Sequence, residues 1–346
     1  IGVLVSDVVD NAPASSSITI RENRILACIH AVRVNLKEDD SGMNNIKITF
    51  NLIGMYDSEK GDVAIFSLAD DVLIERNRIV IVQVPPREPN DPEPEPPRGE
   101  PLDPCPDKRK LYIYNKKFRY IVFDAFAYIT AFIPGNKVRT YKAPGGIQIG
   151  CGSEKVWILQ NEIFGGRGNG ITLGHHDLKY EKGEKIFSPT LYDITIQENL
   201  IYEMGLCGIG TVLLMMVEMK PVIIHTENLR IVENTIRFCV HAVEKELKII
   251  LDTNIPAAPI ALSFCEDCVI QENWIEENGR YQEQAVSGVF IFFGEKIDIS
   301  GNRIIDNGPD VQEAQRLRVN VKGGIVIWFA MSLPRPKYSK ANYVNI

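Results

Sequence analysis

Two adjacent histidines and an aspartate, His175, His176 and Asp177, directly follow the apolar run from Ile171 to Leu173. A histidine oriented by a carboxylate can take and return a proton near neutral pH, and two imidazoles can hold a metal. Adjacent residues of an extended chain point to opposite sides, so only one of these histidines faces any given site. The trio reads equally well as a polar loop on a strand end. Cys265 and Cys268 form a CxxC, but zinc needs a second pair of thiols or histidines at ligand spacing, and none is nearby. Cys28 and Cys239 hold the same place in NRILACIHAV from Asn23 and NTIRFCVHAV from Asn234, which is the place of a small apolar side chain in a tight bend. These residues call for no metal and no other cofactor.

What must position them is a repeat. DITIQENLI, from Asp193 to Ile201, recurs as ITIRENRI ending at Ile25, IKITFNLI at Ile53, VLIERNRI at Ile79, VWILQNEI at Ile163, LRIVENTI at Ile236, CVIQENWI at Ile275 and IDISGNRI at Ile304. Apolar residues two apart, such as Ile194 and Ile196, have the period of a strand with one buried face. Asn23 and Asn51 are 28 residues apart, Asn51 and Asn77 are 26, and Asn273 and Asn302 are 29. Counting GNKV at Asn136 as a degenerate copy adds an interval of 25 before Asn161. Such a period signals a solenoid. Asparagine enters the left-handed backbone region cheaply, and its amide can bond to an identical residue one repeat away. Asn23, Asn77, Asn161, Asn199, Asn234, Asn273 and Asn302 are therefore expected to end strands, make the bend and stack as a ladder.

After each bend comes an Ile, then a second apolar strand opening at glycine or serine, as in GGIQIG at Gly145, GNGITLG at Gly168, SGVFIFF at Ser287 and GGIVIWF at Gly323. A strand, an Asn bend and a second strand describe one coil of a right-handed parallel β-helix, so the expected class is all-β. The helical 3.6-residue period is absent. The repeat runs from Ile18 to Ile304, so residues 1–346 read as a single elongated domain with inserted loops. IGVLV at the start and NYVNI at the end both read as strands, as expected of a piece excised from a longer chain. Residues 85–106, PPREPNDPEPEPPRGEPLDPCP, can neither join a ladder nor bury a face and are expected to form a surface loop.

A net charge of −7 without a basic stripe argues against nucleic acid, and no apolar run approaches a membrane span. The repeat also allows the outward face to be read. One outward column is Thr19, Lys47, Leu73, Trp157, Thr195, Arg230, Val269 and Asp298; the next is Arg21, Thr49, Glu75, Leu159, Gln197, Val232, Gln271 and Ser300. Cleavage at a sugar needs paired carboxylates or a metal they hold, and in these columns Glu75 and Asp298 lie many coils apart. Trp157 is placed to stack on a sugar ring. Phe290, Phe292, Val326 and Trp328 fall on the outward side of strands whose inward side is apolar too, which marks a face for packing, either under the chain itself or against a partner.

The coil pattern resembles the pectate-lyase-like superfamily of right-handed parallel β-helices, many of which cut or epimerise acidic polysaccharides. GGIQIG followed by VWILQNEIFGGRGNGITLG, residues 145–174, further resembles large bacterial β-helix proteins found alongside contractile injection particles. The paired-aspartate and GHG signatures of polygalacturonases are missing, so their catalytic residues are not carried over. The resulting expectation is a non-catalytic scaffold or recognition segment of a larger extracellular or particle-associated protein. Its expected partners are the remainder of the parent protein or a particle component through the apolar face, with polysaccharide as a further candidate. The alternative is a polysaccharide lyase, hydrolase or epimerase built on His175, His176 and Asp177.

Overall fold

The structure, a computed structural model, describes residues 2–6, 17–27, 30–35, 45–57, 63–83, 145–174, 190–211, 215–217, 220–222, 224–241, 258–282, 286–309, 323–330 and 344–345. Among these the chain winds as a parallel β-helix with three faces per coil. The first face comprises Val3–Ser6, Val32–Asn35, Ile65–Leu68, Ile147–Ile149, Ile171–Leu173 and Ile209–Thr211. The second stacks Ile18–Arg21, Ile46–Thr49, Val72–Glu75, Glu154–Leu159, Thr190–Gln197 and His225–Val232. The third is an eight-stranded sheet from Arg24–Ala27 to Arg303–Ile305. Two long strands, Ile260–Gln271 and Ser287–Ser300, run through the corner from first face to second and join those faces into one sheet. An antiparallel pair, Met215–Val217 with Lys220–Val222, stands outside the solenoid ladders.

Period-2 isoleucines fill the interior. Ile20, Ile48, Ile74, Ile158, Ile196, Ile231, Ile270 and Ile299 line the second face from inside, and Ile53, Ile79, Ile163, Ile201, Ile236 and Ile275 line the third. Each lies in register with its counterpart one coil away, so the core is a stack of like on like. Gly146 opens a first-face strand because a Cβ there would fall 2.6 Å from Cγ2 of Ile163.

The asparagines form a buried ladder. Asn161 donates its backbone N–H and its side-chain amide to Asn199 Oδ1, both at 3.0 Å, and donates again to the carbonyl of Ile74. The same pattern joins Asn23, Asn51, Asn77, Asn161, Asn199, Asn234, Asn273 and Asn302 in unbroken order. Each amide thus satisfies backbone groups that the bend removes from the sheet.

Two expectations need correction. The left-handed residue is not the asparagine but the one before it: Glu22, Phe50, Arg76, Gln160, Glu198, Glu233 and Glu272 have φ between 51° and 58°. The reason is that the Asn backbone N–H must point along the axis at the next amide, so the preceding residue makes the turn. Nor does a coil at Asn136 intervene between Asn77 and Asn161, which bond to each other directly. Strands Arg78–Gln83 and Glu162–Phe164 pair in register, so the coils that hold Asn77 and Asn161 are direct neighbours in the stack; residues 84–144, which include the 85–106 segment, lie outside the described residues.

Candidate functional site

A second left-handed column marks the corner between first and second faces. Asp71, Lys155, Asp193, Asn228, Asp267 and Lys296 have φ between 51° and 55° there. One left-handed residue reverses the in–out alternation, so the residues before it cannot be assigned by extending the strand period backwards. Just before it, Glu154, Tyr192, Glu227, Glu266 and Glu295 occupy one register position on five successive coils. Two residues earlier, Thr190, His225, Phe264, Phe293 and Phe329 form a parallel column.

These columns bring ionisable groups together. Ligand-capable atoms of His225, Glu227 and Glu266 all lie within 4.8 Å of one another. His225 Nε2 is 3.8 Å from Glu266 Oε2, and the His225 ring stacks on Phe264 with centroids 4.3 Å apart. Thr190 Oγ1 is 3.5 Å from His225 Nδ1. Lys296 Nζ approaches Glu266 Oε1 at 3.5 Å and Asp267 Oδ2 at 3.0 Å. Its hydrogen bond to Asp267, and the charges of Asp267 and Glu266, push the Lys296 pKa up against the opposing effect of desolvation, so it stays protonated. Glu266 and Glu295 are only 5% and 4% exposed.

An imidazole beside carboxylates one strand spacing apart, roughly 4.8 Å, has the elements needed to move a proton. With two carboxylates and a ring nitrogen it also has a donor set suited to a divalent cation. The outward reading from sequence alone placed no two carboxylates together; the structure corrects that, because the acidic column lies beyond the corner and outside the two columns read. The signal was present in the repeat, since Asp70, Glu154, Glu227, Glu266 and Glu295 each precede their repeat asparagine by the same interval.

His175, His176 and Asp177 lie outside the described residues, which stop at Gly174 and resume at Thr190. Trp157 projects from the second face and is 39% exposed. Phe290 is fully buried, Phe292 and Val326 are half-buried and Trp328 is 38% exposed. Phe290, Phe292 and Trp328 meet in one aromatic cluster with Phe293 and Phe329, with ring centroids 4.6 to 6.4 Å apart in edge-on and tilted pairs.

The described cysteines are core thiols. Cys265 and Cys268 are wholly buried. Cys239 stands in a short second ladder at the far end of the third face, where Asn278 donates to Asn307 Oδ1 at 2.8 Å. Its backbone N–H donates to Asn278 Oδ1 at 2.8 Å, and its sulfur lies 3.9 Å from the Ile201 carbonyl, the position equivalent to the carbonyl that Asn278 satisfies at Ile236. The thiol thus fills an asparagine position. Burial pushes the pKa of both Cys207 and Cys239 up to about 12. Cys28 lies outside the described residues.

The three-faced ladders define a parallel β-helix protein. Among solved structures, the chain is similar to the A-module of the mannuronan C-5 epimerase AlgE6 of Azotobacter vinelandii at 11% identity and a TM-score of 0.31, over 96% of this chain and 81% of that one. No protein-family model matches the sequence, and no curated protein matches it. Among the described residues no helix is long and apolar enough to cross a membrane.

Proposed function

We propose that the chain is a non-catalytic β-helical scaffold or recognition segment of a larger extracellular or particle-associated protein, with carbohydrate as the ligand class it presents a surface to. The observation that carries this reading is the unbroken asparagine ladder, which passes the 84-residue step from Asn77 to Asn161 with bonds of 2.9 and 3.0 Å and no missing rung. A chain that keeps every rung across so long a separation in sequence is built to hold its coils in fixed register, as a rigid support requires. The second and third faces also carry outward side chains paired with their neighbours: Arg237 bonds Glu276 and Glu277, and Gln197 bonds Glu233. Such paired surfaces suit a load-bearing face. The experiment is an assay of lyase, hydrolase and epimerase activity on acidic and neutral polysaccharides, with and without calcium. The scaffold reading expects no turnover above background.

One observation favours a second reading, a polysaccharide lyase, hydrolase or epimerase, and it is the grouping of His225, Glu227 and Glu266. In that reading His225 exchanges the proton and the carboxylates stabilise charge or hold a cation. Turnover that is lost in His225→Ala and Glu266→Gln, with folding intact, would select it. Turnover lost in His175→Ala or His176→Ala instead would place the chemistry at that loop.

A further inference from the structure

The corner groups are held in an order that catalysis does not require. Glu227 and Glu266 are register partners on adjacent coils, and Glu266 pairs in turn with Glu295, so three carboxylates stand in one file. Glu266 and Glu295 are buried, and Asp267 follows Glu266 directly. Against these four carboxylates stands the ammonium of Lys296, 3.0 Å from Asp267 Oδ2 and 3.5 Å from Glu266 Oε1. Burying like charges side by side is costly, and a bound dication offsets them.

Two of the ligand-capable side chains are oriented from behind. The His225 ring lies on Phe264, its register partner on the next coil, with centroids 4.3 Å apart and planes within 14° of parallel. Thr190 Oγ1, in register on the coil before, is 3.5 Å from Nδ1, while Nε2 faces Glu266. Lys296 engages Oε1 of Glu266, and Oε2 faces the imidazole. Metal sites are built in this manner, with the far atom of each ligand held by a second group. Nε2 and Oε2 are 3.8 Å apart. That exceeds a hydrogen bond and approaches the ~3.4 Å between two ligand atoms set about 2.1 Å from one tetrahedral ion. A carboxylate oxygen of Glu227 completes a set whose members all lie within 4.8 Å of one another.

We propose that His225, Glu227 and Glu266 bind one divalent transition-metal ion of the zinc class, which clamps the coil carrying His225–Val232 to the coil carrying Ile260–Gln271. An imidazole nitrogen beside two carboxylate oxygens suits that class, whereas calcium takes roughly six to eight oxygens. The asparagine ladder braces the corner between second and third faces, and the ion braces the one between first and second. Such a clamp needs no turnover, so it goes beyond both functional readings and depends on neither.

The test uses the full chain carrying His175→Ala and His176→Ala, stripped of metal with a chelator and titrated separately with Zn²⁺, Co²⁺, Ca²⁺ and Mg²⁺ by calorimetry, with thermal unfolding followed in parallel. Polysaccharide turnover is a separate readout and bears only on the second functional reading. The expected result is one equivalent of Zn²⁺ bound, a higher unfolding temperature with Zn²⁺, and affinity weaker by roughly tenfold or more in His225→Ala and in Glu266→Gln, with circular dichroism unchanged. X-ray absorption of the Zn²⁺-loaded chain reads the ligands even if a variant fails to fold, and should show one imidazole with oxygen ligands and no sulfur. Sulfur scattering would move the ion to the cysteines and overturn the site. Calcium binding as tight as Zn²⁺ would overturn the ion class, and Zn²⁺ affinity unchanged in His225→Ala would overturn the ligand set. Absence of Zn²⁺ binding, or binding without a rise in unfolding temperature, would overturn the clamp.

Discussion

Asn77 donates its backbone N–H to Asn161 Oδ1 at 2.9 Å and its side-chain amide to the same oxygen at 3.0 Å, across 84 residues of chain. Elsewhere the same two bonds join asparagines 26 to 39 residues apart. The solenoid is therefore indifferent to how much chain leaves it between coils. What it enforces is the register of the two asparagines on re-entry.

Replacing a central rung tests the energetics of the ladder. Asn199 donates to Asn234 Oδ1 and to the carbonyl of Ile158, and its own Oδ1 accepts from Asn161, all in the buried interior. Asn199→Ala leaves those groups without partners, and a loss of roughly 1 to 3 kcal/mol in unfolding free energy is expected by chemical denaturation. An unchanged midpoint would contradict the ladder's role.

The residue before each asparagine provides a separate test of backbone geometry. Glu198 sits at φ 55° and is exposed. Glu198 already meets the left-handed penalty and a β-branched side chain adds crowding to it, so Glu198→Val is expected to lower stability by on the order of 1 kcal/mol. Glu198→Gly relieves the strain while adding freedom to the unfolded chain and should leave stability nearly unchanged. Equal effects of the two substitutions would contradict the assignment of the bend.

The thiols predict an alkaline transition. Burial raises Cys207 and Cys239 from an ordinary 9.0 to about 12. Below pH 9.0 the thiol is neutral in both folded and unfolded chains, so the full stability is present; above it the unfolded chain ionises first, and stability falls as pH rises toward 12. The urea midpoint should decline over that range, and less steeply in Cys207→Ala/Cys239→Ala. With Cys28 and Cys105 replaced by Ser, a thiol reagent at pH 8 should find the native protein unreactive. Rapid labelling would show that these sulfurs are not core groups.

The fold was legible because its physics is periodic. Isoleucine at two-residue spacing and asparagine at each bend leave the same mark in every coil, and the strand pairing of Ile194 with Val156 and Leu229 follows from aligning those marks. The corner site was harder to see. Extending the alternation of Ile194 and Ile196 backwards runs into Asp193, whose left-handed φ of 54° reverses the facing of everything before it. Residues such as Glu227 and Glu266 thus fall outside a reading based on strand period alone, although aligning columns at a fixed distance from the asparagine finds them. Cys239 was hidden for another reason: a thiol in an asparagine's place carries no ladder signature until its hydrogen bonds are seen.

The continuity of the solenoid between Asn77 and Asn161 is tested most directly by removing residues 84–144 and joining Gln83 to Gly145 through a short glycine-serine link. Strands Arg78–Gln83 and Glu162–Phe164 already pair, as do Ile65–Leu68 with Ile147–Ile149 and Val72–Glu75 with Glu154–Leu159. The shortened chain should keep a β circular dichroism spectrum and a single cooperative thermal transition, with hydrogen exchange at the Asn77 and Asn161 amides as slow as in the full chain. Loss of the β signal, or fast exchange confined to those two amides, would contradict an unbroken ladder.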